Sequence, residues 1–275
     1  MSIEGWKYYN HAAIPTTAPH EEPNLMPIES GLVWTNIEGG TPLLARWQSD
    51  WDCGYETQWW YCIKDTPYDI AALKSKRRYE INKGNKNFHV KKIALHDYEN
   101  DLYQVTLAAY SSWPEKYRPH INEETFLKQV EEWDDADIFG GFEIETGRLA
   151  GYAMLRDLGS YVEFSVLRVM PETERMGINA AMVAGILEYY NNRFNGKFYI
   201  NDGSRTIRHE TAFQDYLEKY FDFRKAYCRL NIRYRKGFGI LIKVLYPFRN
   251  IIKPDSRLGS KISGILKMEE ICRSF

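Results

Sequence analysis

The chain has 275 residues with 36 Lys and Arg against 37 Asp and Glu, a formal charge of −1, so overall charge does not mark it as a polyanion binder. Hydrophobic residues make up 44% and charged residues 27%, which excludes a disordered chain and gives ample length for a real core. No apolar run approaches the roughly 18 residues that cross a bilayer, and residues 1–10 lack the basic run and apolar core of a signal peptide. The expectation is a cytoplasmic protein. Cys53, Cys62, Cys228 and Cys272 fit neither a zinc ribbon nor a disulfide framework, so reduced thiols and no metal are expected. The charge is uneven: residues 235–275 carry nine Lys or Arg against three Asp or Glu, a local +6, which leaves −7 for the rest.

In chain order, residues 1–30 read as an extended arm. Three segments, 31–38, 41–50 and 56–65, read as an antiparallel meander, with Gly39-Gly40 as the first turn. From 68 to 85 the pattern is helical, with Ile70, Leu73, Arg77 and Ile81 on one side. Six Lys or Arg fall within 74–86, a basic patch or a solvated helix face. A strand over 87–95 follows, then a helix over 99–113. A second helix begins from Asn122, with Thr125 three residues on as a capping partner. Two strands, 138–146 and 148–158, meet at Thr146-Gly147.

Residues 162–192 are the centre of the chain. Val162, Phe164 and Val166 alternate with Glu163, Ser165 and Leu167, the period of a strand. Pro171 ends regular pairing. Beyond Gly177 a helix carries Ile178, Met182 and Ile186, with Tyr189 or Tyr190, as a stripe. Strand, polar turn, glycine and helix suit an anion, because the first helical turn has unpaired N–H groups and a partial positive charge. A strand over 197–204, a helix over 211–221 and a closing pair of strands over 223–234 complete the run.

Residues 169–179 read V-x-P-x-x-E-x-x-G-x-N, which resembles the acyl-CoA loop of the GNAT acyltransferases, V-x-P-x-x-R/Q-x-x-G-x-G/A. Val169, Pro171 and Gly177 match; Glu174 and Asn179 depart, and Arg175 stands beside the acidic position. Ala212, Tyr216, Glu218 and Lys219 resemble the family's closing helix, and residues 75–84 resemble the approach to the GNAT domain in the FemAB-like, aminoacyl-transferring branch. The resemblance covers 86–234, where the expected order is β-α-α-β-β-β-α-β-α-β. It implies an α+β fold: a GNAT-like mixed, mostly antiparallel sheet flanked by helices. Residues 1–85 then form an N-terminal arm, β-meander and basic helix, 86–234 the acyltransferase domain, and 235–275 a basic amphipathic tail.

The resemblance implies transfer of an acyl group from acyl-CoA, such as acetyl-CoA, to an amine or hydroxyl of a small molecule or a glycan or cell-envelope precursor. Two alternatives stand beside it: aminoacyl transfer from charged tRNA, and a degenerate binding module without catalysis. In that frame Glu163 is the base and Tyr216 the acid for the leaving thiolate. Leu167, Val169, Arg175, Met176, Gly177, Ile178, Asn179 and Asn201 hold the cofactor. The polar segment 201–209 contains Asp202, Ser204, Arg205, Arg208 and His209; Ser204 and the two arginines read as an acceptor site, and His209 as a further acid or base. The tail groups Leu241, Leu245, Phe248 and Ile252, then Leu258, Ile262 and Ile265, between basic residues. Two such amphipathic segments suit peripheral contact with the inner face of a membrane.

Overall fold

The computed structural model describes residues 3–35, 37–115, 118–207, 212–252 and 256–274. In chain order it contains β1 (Trp6–Tyr9), β2 (Ala12–Pro15), α1 (Met26–Glu29), β3 (Leu44–Ser49), β4 (Trp59–Lys64), α2 (Ser75–Asn87), β5 (Phe88–Ile93) and α3 (Glu99–Ser111). Then come α4 (Glu123–Val130), β6 (Asp137–Glu143), β7 (Leu149–Asp157), β8 (Tyr161–Val169), α5 (Ile178–Tyr190), β9 (Tyr199–Ser204), α6 (Ala212–Phe221), β10 (Arg224–Tyr234), α7 (Phe238–Leu245) and α8 (Arg257–Cys272). From β5 to β10 this is the expected order, and the class is α+β.

The chain forms two compact units: Met1–Cys62 with Ser204–Thr211 and Lys225–Phe275, and Ile63–Gly203 with Ala212–Arg224. In the first unit the strand order is β1-β2-β3-β10-β4. β1 and β2 are antiparallel, β2 runs parallel to β3 for two residue pairs, and β10 runs antiparallel to β3 from Arg229↔Ser49 to Tyr234↔Leu44. One core gathers Ile3, Trp6, Ile28, Val33 and Ile37. Another sets Trp59, Cys228, Leu230 and Ile271 together.

This half differs from the expected meander. The arm holds a hairpin, turned at Asn10 and His11 with φ of 47° and 66°. Two successive positive values are the signature of a tight two-residue turn, but Asn-His is not its usual sequence. Residues 32–34 form a 3-10 turn, because Val33 and Ile37, four apart, are the side chains that become buried. β3 and β4 are strands, yet they flank β10 instead of pairing with each other. The expected closing pair of strands is that single long β10, whose eleven residues give β3 a continuous edge.

In the second unit the order is β9-β8-β7-β6-β5, antiparallel throughout except for the parallel pair β8–β9. α3 and α4 cover one face around Leu102, Val105, Phe126, Trp133 and Tyr152. Within that core the Thr106 and Tyr152 hydroxyls are hydrogen-bonded at 2.7 Å, which removes the penalty of burying either alone. α4 carries the expected capping box: Thr125 N–H donates to Asn122 Oδ1, and Asn122 N–H to Thr125 Oγ1. The helix expected over 68–85 is split. Asp69 caps a 3-10 turn at Ile70–Ala72, Leu73 is extended, and α2 starts afresh at Ser75.

α5 lies against the sheet on one side and α2 on the other. A Cβ on Gly141 would stand 2.5 Å from Met182 Sδ, and one on Gly185 2.7 Å from Val90 Cβ. Across α2 the approach is backbone to backbone: a Cβ on Gly84 would stand 2.4 Å from the Gly177 carbonyl oxygen. We expect Gly84→Ala to destabilise the protein. The helix-propensity gain of about 1 kcal/mol is outweighed by an overpacking cost of about 1–3 kcal/mol, because the backbone it meets cannot swing aside. Chemical denaturation should show a net loss; a gain would mean that α2 and α5 separate more easily than their spacing implies.

Candidate functional site

The site begins with a defect in strand pairing. β8 pairs with β7 through Leu155↔Phe164 and Met154↔Val166, so Ser165 is an extra residue opposite no partner, a bulge. On its other side β8 is in register with β9 only over Tyr161↔Tyr199, Val162↔Ile200 and Glu163↔Asn201. β9 then bends: Gly203 takes a φ of 93°, and its N–H donates to Asn201 Oδ1 at 2.9 Å. Where the two strands lose register, a cleft of about 380 Å³ opens. Residues 164–169 of β8 form one wall. Asp202 and Phe213 line it from β9 and α6, Ala109, Ser112 and Trp113 from the end of α3, and Glu174 and Asn179 from the turn and first coil of α5.

Three charged side chains line this cleft. Burial pushes the Asp202 carboxyl up to about 7, against a smaller opposing effect of its hydrogen bond with Gln214. Gln214, on α6, also reaches the Asp202 and Gly203 carbonyls at 3.4 Å. Arg168 donates to the Tyr110 hydroxyl at 3.2 Å, and its guanidinium lies over the Tyr110 and Trp113 rings at 5.1 and 5.8 Å. Glu174 supplies the third charge. A carboxyl that titrates near neutrality between aromatic walls is suited to take up or release a proton during a reaction.

The turn before α5 is a 3-10 helix, Pro171–Met176, closed by Gly177 at φ 94°. Gly177 N–H donates to the Glu174 carbonyl at 3.0 Å, and the first bond of α5 is Ala181 N–H to the Gly177 carbonyl, also 3.0 Å. The N–H groups of Ile178, Asn179 and Ala180 precede that bond and so have no acceptor within the helix. Asn87 Nδ2 holds the Met176 carbonyl at 3.0 Å, fixing the turn to the end of α2.

Of the residues expected to hold a cofactor, Leu167, Val169 and Asn179 line the cleft; Arg175, Met176, Gly177 and Ile178 belong to the adjoining turn and helix start. Asn201 is 2% exposed and bonded to Gly203, so it shapes the bend in β9. Glu163 sits between Arg156 and Asn201 in register and is not among the cleft-lining residues. Tyr216 stacks on Phe213 at 6.2 Å and packs near Tyr220 and Phe221; burial raises its hydroxyl pKa and keeps it protonated.

Ser204 and Arg205 belong to the first unit, where Arg205 donates to the Gln58 carbonyl at 2.8 Å. Arg208 and His209 lie outside the described residues. Sequence reasoning placed Asp202 in a polar segment without singling it out, and it missed Arg168, Trp113, Phe164 and Phe213. Asp202 carried no signal of its own in the sequence, because its place directly after the last residue in register with β8 is set only by the assembled sheet. Among the described residues no three His, Cys, Asp or Glu side chains converge as a metal site.

No protein-family model matches the chain, and no curated protein is similar to it in sequence. Solved structures are similar in fold. FemX superposes with a TM-score of 0.53 at 9% identity, over 80% of this chain and 78% of its own. L-PGS from Bacillus licheniformis gives 0.51 at 13% identity, over 90% and 84%. The C-terminal domain of a lysylphosphatidylglycerol synthetase from Agrobacterium fabrum gives 0.51 at 11%, over 87% and 82%. The chain thus shares the fold of these structures, a GNAT-like mixed, mostly antiparallel sheet flanked by helices.

Proposed function

We propose that the protein is an acyltransferase that moves an acyl group from an activated carrier to an amine or hydroxyl, with Asp202 as the base. The carrying observation is the position of Asp202: a carboxyl titrating near 7 at the point where β8 and β9 part. Asp202 takes the proton from the attacking nitrogen or oxygen as that atom bonds to the acyl carbon. The bulge at Ser165 frees strand amide groups from the ladder beside the reacting carbonyl, where an N–H can stabilise the oxyanion. The bond to the carrier then breaks, and the leaving thiolate or alkoxide takes the proton that Asp202 accepted; Tyr216, expected as that acid, packs among Phe213, Tyr220 and Phe221 and is not among the cleft-lining residues. The aromatic walls, Trp113, Phe164 and Phe213, suit the apolar face of a sugar ring, which supports a glycan-precursor acceptor. An acyl-CoA donor would place its pyrophosphate at the start of α5, near Met176 to Asn179. Acyl-CoA and charged tRNA are both cytoplasmic, and the proposal puts the reaction there.

A specific observation favours charged tRNA as the donor. On α2, Lys76, Tyr79, Lys83 and Lys86 recur at helical spacing, away from Ile81 and Gly84, which are buried. Tyr79 is 65% exposed, a large aromatic among lysines on the surface. That combination suits a nucleic-acid backbone and an unstacked base. The other two basic residues of the helix are engaged within the unit: Arg77 pairs with Asp222 at 2.6 Å, and Arg78 donates to the Ala71 and Leu73 carbonyls. Glu174, an acid where acyl-CoA enzymes of the resembled family have Arg or Gln, points the same way.

Asp202→Asn should lower turnover by roughly 100-fold or more and remove a rise in kcat/KM through about pH 7, while Glu163→Gln keeps both. Equal pH profiles for parent and Asp202→Asn would remove Asp202 from the mechanism. The same substitution has a stability signature. A carboxyl whose folded pKa is raised binds its proton more tightly when folded, so the parent loses stability as pH rises from about 4 to about 7. Asp202→Asn should therefore match the parent at pH 4 and exceed it at pH 8, by up to about 4 kcal/mol; equal denaturation midpoints at both pH values would contradict the buried carboxyl.

For the donor, thermal shift with charged tRNA should exceed that with acetyl-CoA, and Lys76→Gln with Lys83→Gln and Lys86→Gln should abolish only the tRNA shift. A shift with acetyl-CoA alone, strengthened by Glu174→Gln through loss of like-charge repulsion, would assign the donor to CoA.

A further inference from the structure

The two halves of the basic tail have opposite fates. α8 is part of the first unit's core: Leu266 and Ile271 are 1% and 2% exposed, and Met268 and Cys272 pack with Trp59, Cys228 and Leu230. Its acids are engaged, Glu269 with Arg273 and the Tyr234 hydroxyl, and Glu270 with Lys267 and Arg249. α7 is held by Ile242, 2% exposed, and by Phe238 against Tyr234. Leu245 is half-buried, whereas the other large apolar side chains face outward: Ile240 is 68% exposed, Leu241 49%, Val244 59%, Phe248 in the following turn 54%, and Ile251 75%.

At 100° per residue, Ile240, Leu241 and Val244 form a stripe about 100° wide, turned away from Ile242, and Phe248 follows in the 3-10 turn. Lys243 borders the stripe on one flank, and Lys236, in the turn that enters the helix, is exposed too. Residues 235–252 contain Arg235, Lys236, Lys243 and Arg249 and no Asp or Glu. An exposed apolar row of this extent marks a docking face, since soluble surfaces rarely group such side chains.

We infer that α7 and the turn after it seat the protein on an anionic lipid surface, with the apolar row in the acyl boundary and the lysines at the headgroups. Charge complementarity selects this occupant. A second copy docked on the same face would bring two basic flanks together without an acid between them, whereas a surface of phosphate headgroups neutralises both. Length agrees: α7 has eight residues before Tyr246-Pro247-Phe248 tighten into a 3-10 turn, and among the described residues no helix is long and apolar enough to cross a membrane. A short helix with an apolar face and cationic edge lies in the plane of the interface. The inference stands on the first unit alone and does not depend on the acyl-transfer reading.

The test is co-sedimentation of the full chain with phosphatidylcholine vesicles, with and without phosphatidylglycerol. The chain should sediment with the anionic vesicles at least roughly ten-fold better than with the neutral ones, and less so as salt is raised. Lys236→Gln with Lys243→Gln should weaken binding roughly twenty- to thirty-fold, about five-fold per charge. Val244→Ser with Phe248→Ser should weaken it at least roughly ten-fold. All four positions are exposed, so the melting temperature should stay unchanged in both variants. Absence of binding at low salt, equal binding to neutral vesicles, or variants that bind like the parent would overturn the inference. So would a dimer in sedimentation velocity that Val244→Ser with Phe248→Ser converts to monomer, because the stripe would then be covered by a second copy.

Discussion

The second unit depends on a parallel strand pair that holds for only three residues. β8 and β9 share register from Tyr161 to Glu163 and then part, with a bulge at Ser165 on one strand and a bend at Gly203 on the other. A sheet that stayed paired would fill the space now occupied by the cleft. The strand that separates brings Asp202 into a wall of Phe164, Val166 and Phe213, where few solvent dipoles remain to stabilise its charge. The burial that raises this carboxyl's pKa also costs stability once it ionises. Such a cost is tolerated where the surrounding fold is strong, and here it borders the well-packed core of α3, α4, β6 and β7.

That strength comes partly from close approach at α5. The sequence pattern marked a stripe of Ile178, Met182, Ile186 and a tyrosine; all but Tyr189 of those side chains are buried, but so are Ala180, Ala181, Val183, Ala184 and Leu187. The helix is covered on two sides, by the sheet through Gly141, Gly151 and Gly185 and by α2 through Gly84. Gly84 therefore belongs to the packing of the loop before α5, although it lies in the most basic segment of the sequence. The same helix buries Ile81 and Gly84 on its inner side and carries its lysines on the other. Packing and charge occupy opposite faces of one element, and neither reading of the basic run excludes the other.

The first unit shows how one composition can lead to different structures. α7 and α8 both alternate apolar and basic residues, yet α8 is buried against Trp59 and Leu230 while α7 keeps most of its apolar row outside. Arg249 and Arg273 both lie over the Tyr246 ring, at 4.5 and 3.9 Å, and Arg249 pairs with Glu270. α8 has acids to pair with these cations and cysteine and methionine side chains to fill the core; α7 has neither.

Element order from β5 to β10 was readable from periodicity because each segment alternates or repeats by itself: Val162, Phe164 and Val166 in β8, Asn122 and Thr125 at the start of α4. The glycine turn at Gly177 was equally local. Pairing was not. β3 and β4 read as neighbours because they are adjacent in sequence, and only the arrival of β10, more than 150 residues later, separates them. The site followed the same rule. Val169 carried a local signature and lines the cleft with Leu167 and Asn179, whereas which of Glu163 and Asp202 reaches the cleft rests on where β9 leaves β8. Two acids on adjacent strands are chemically alike in a sequence; desolvation, which the assembled sheet and α6 impose on Asp202, makes them different.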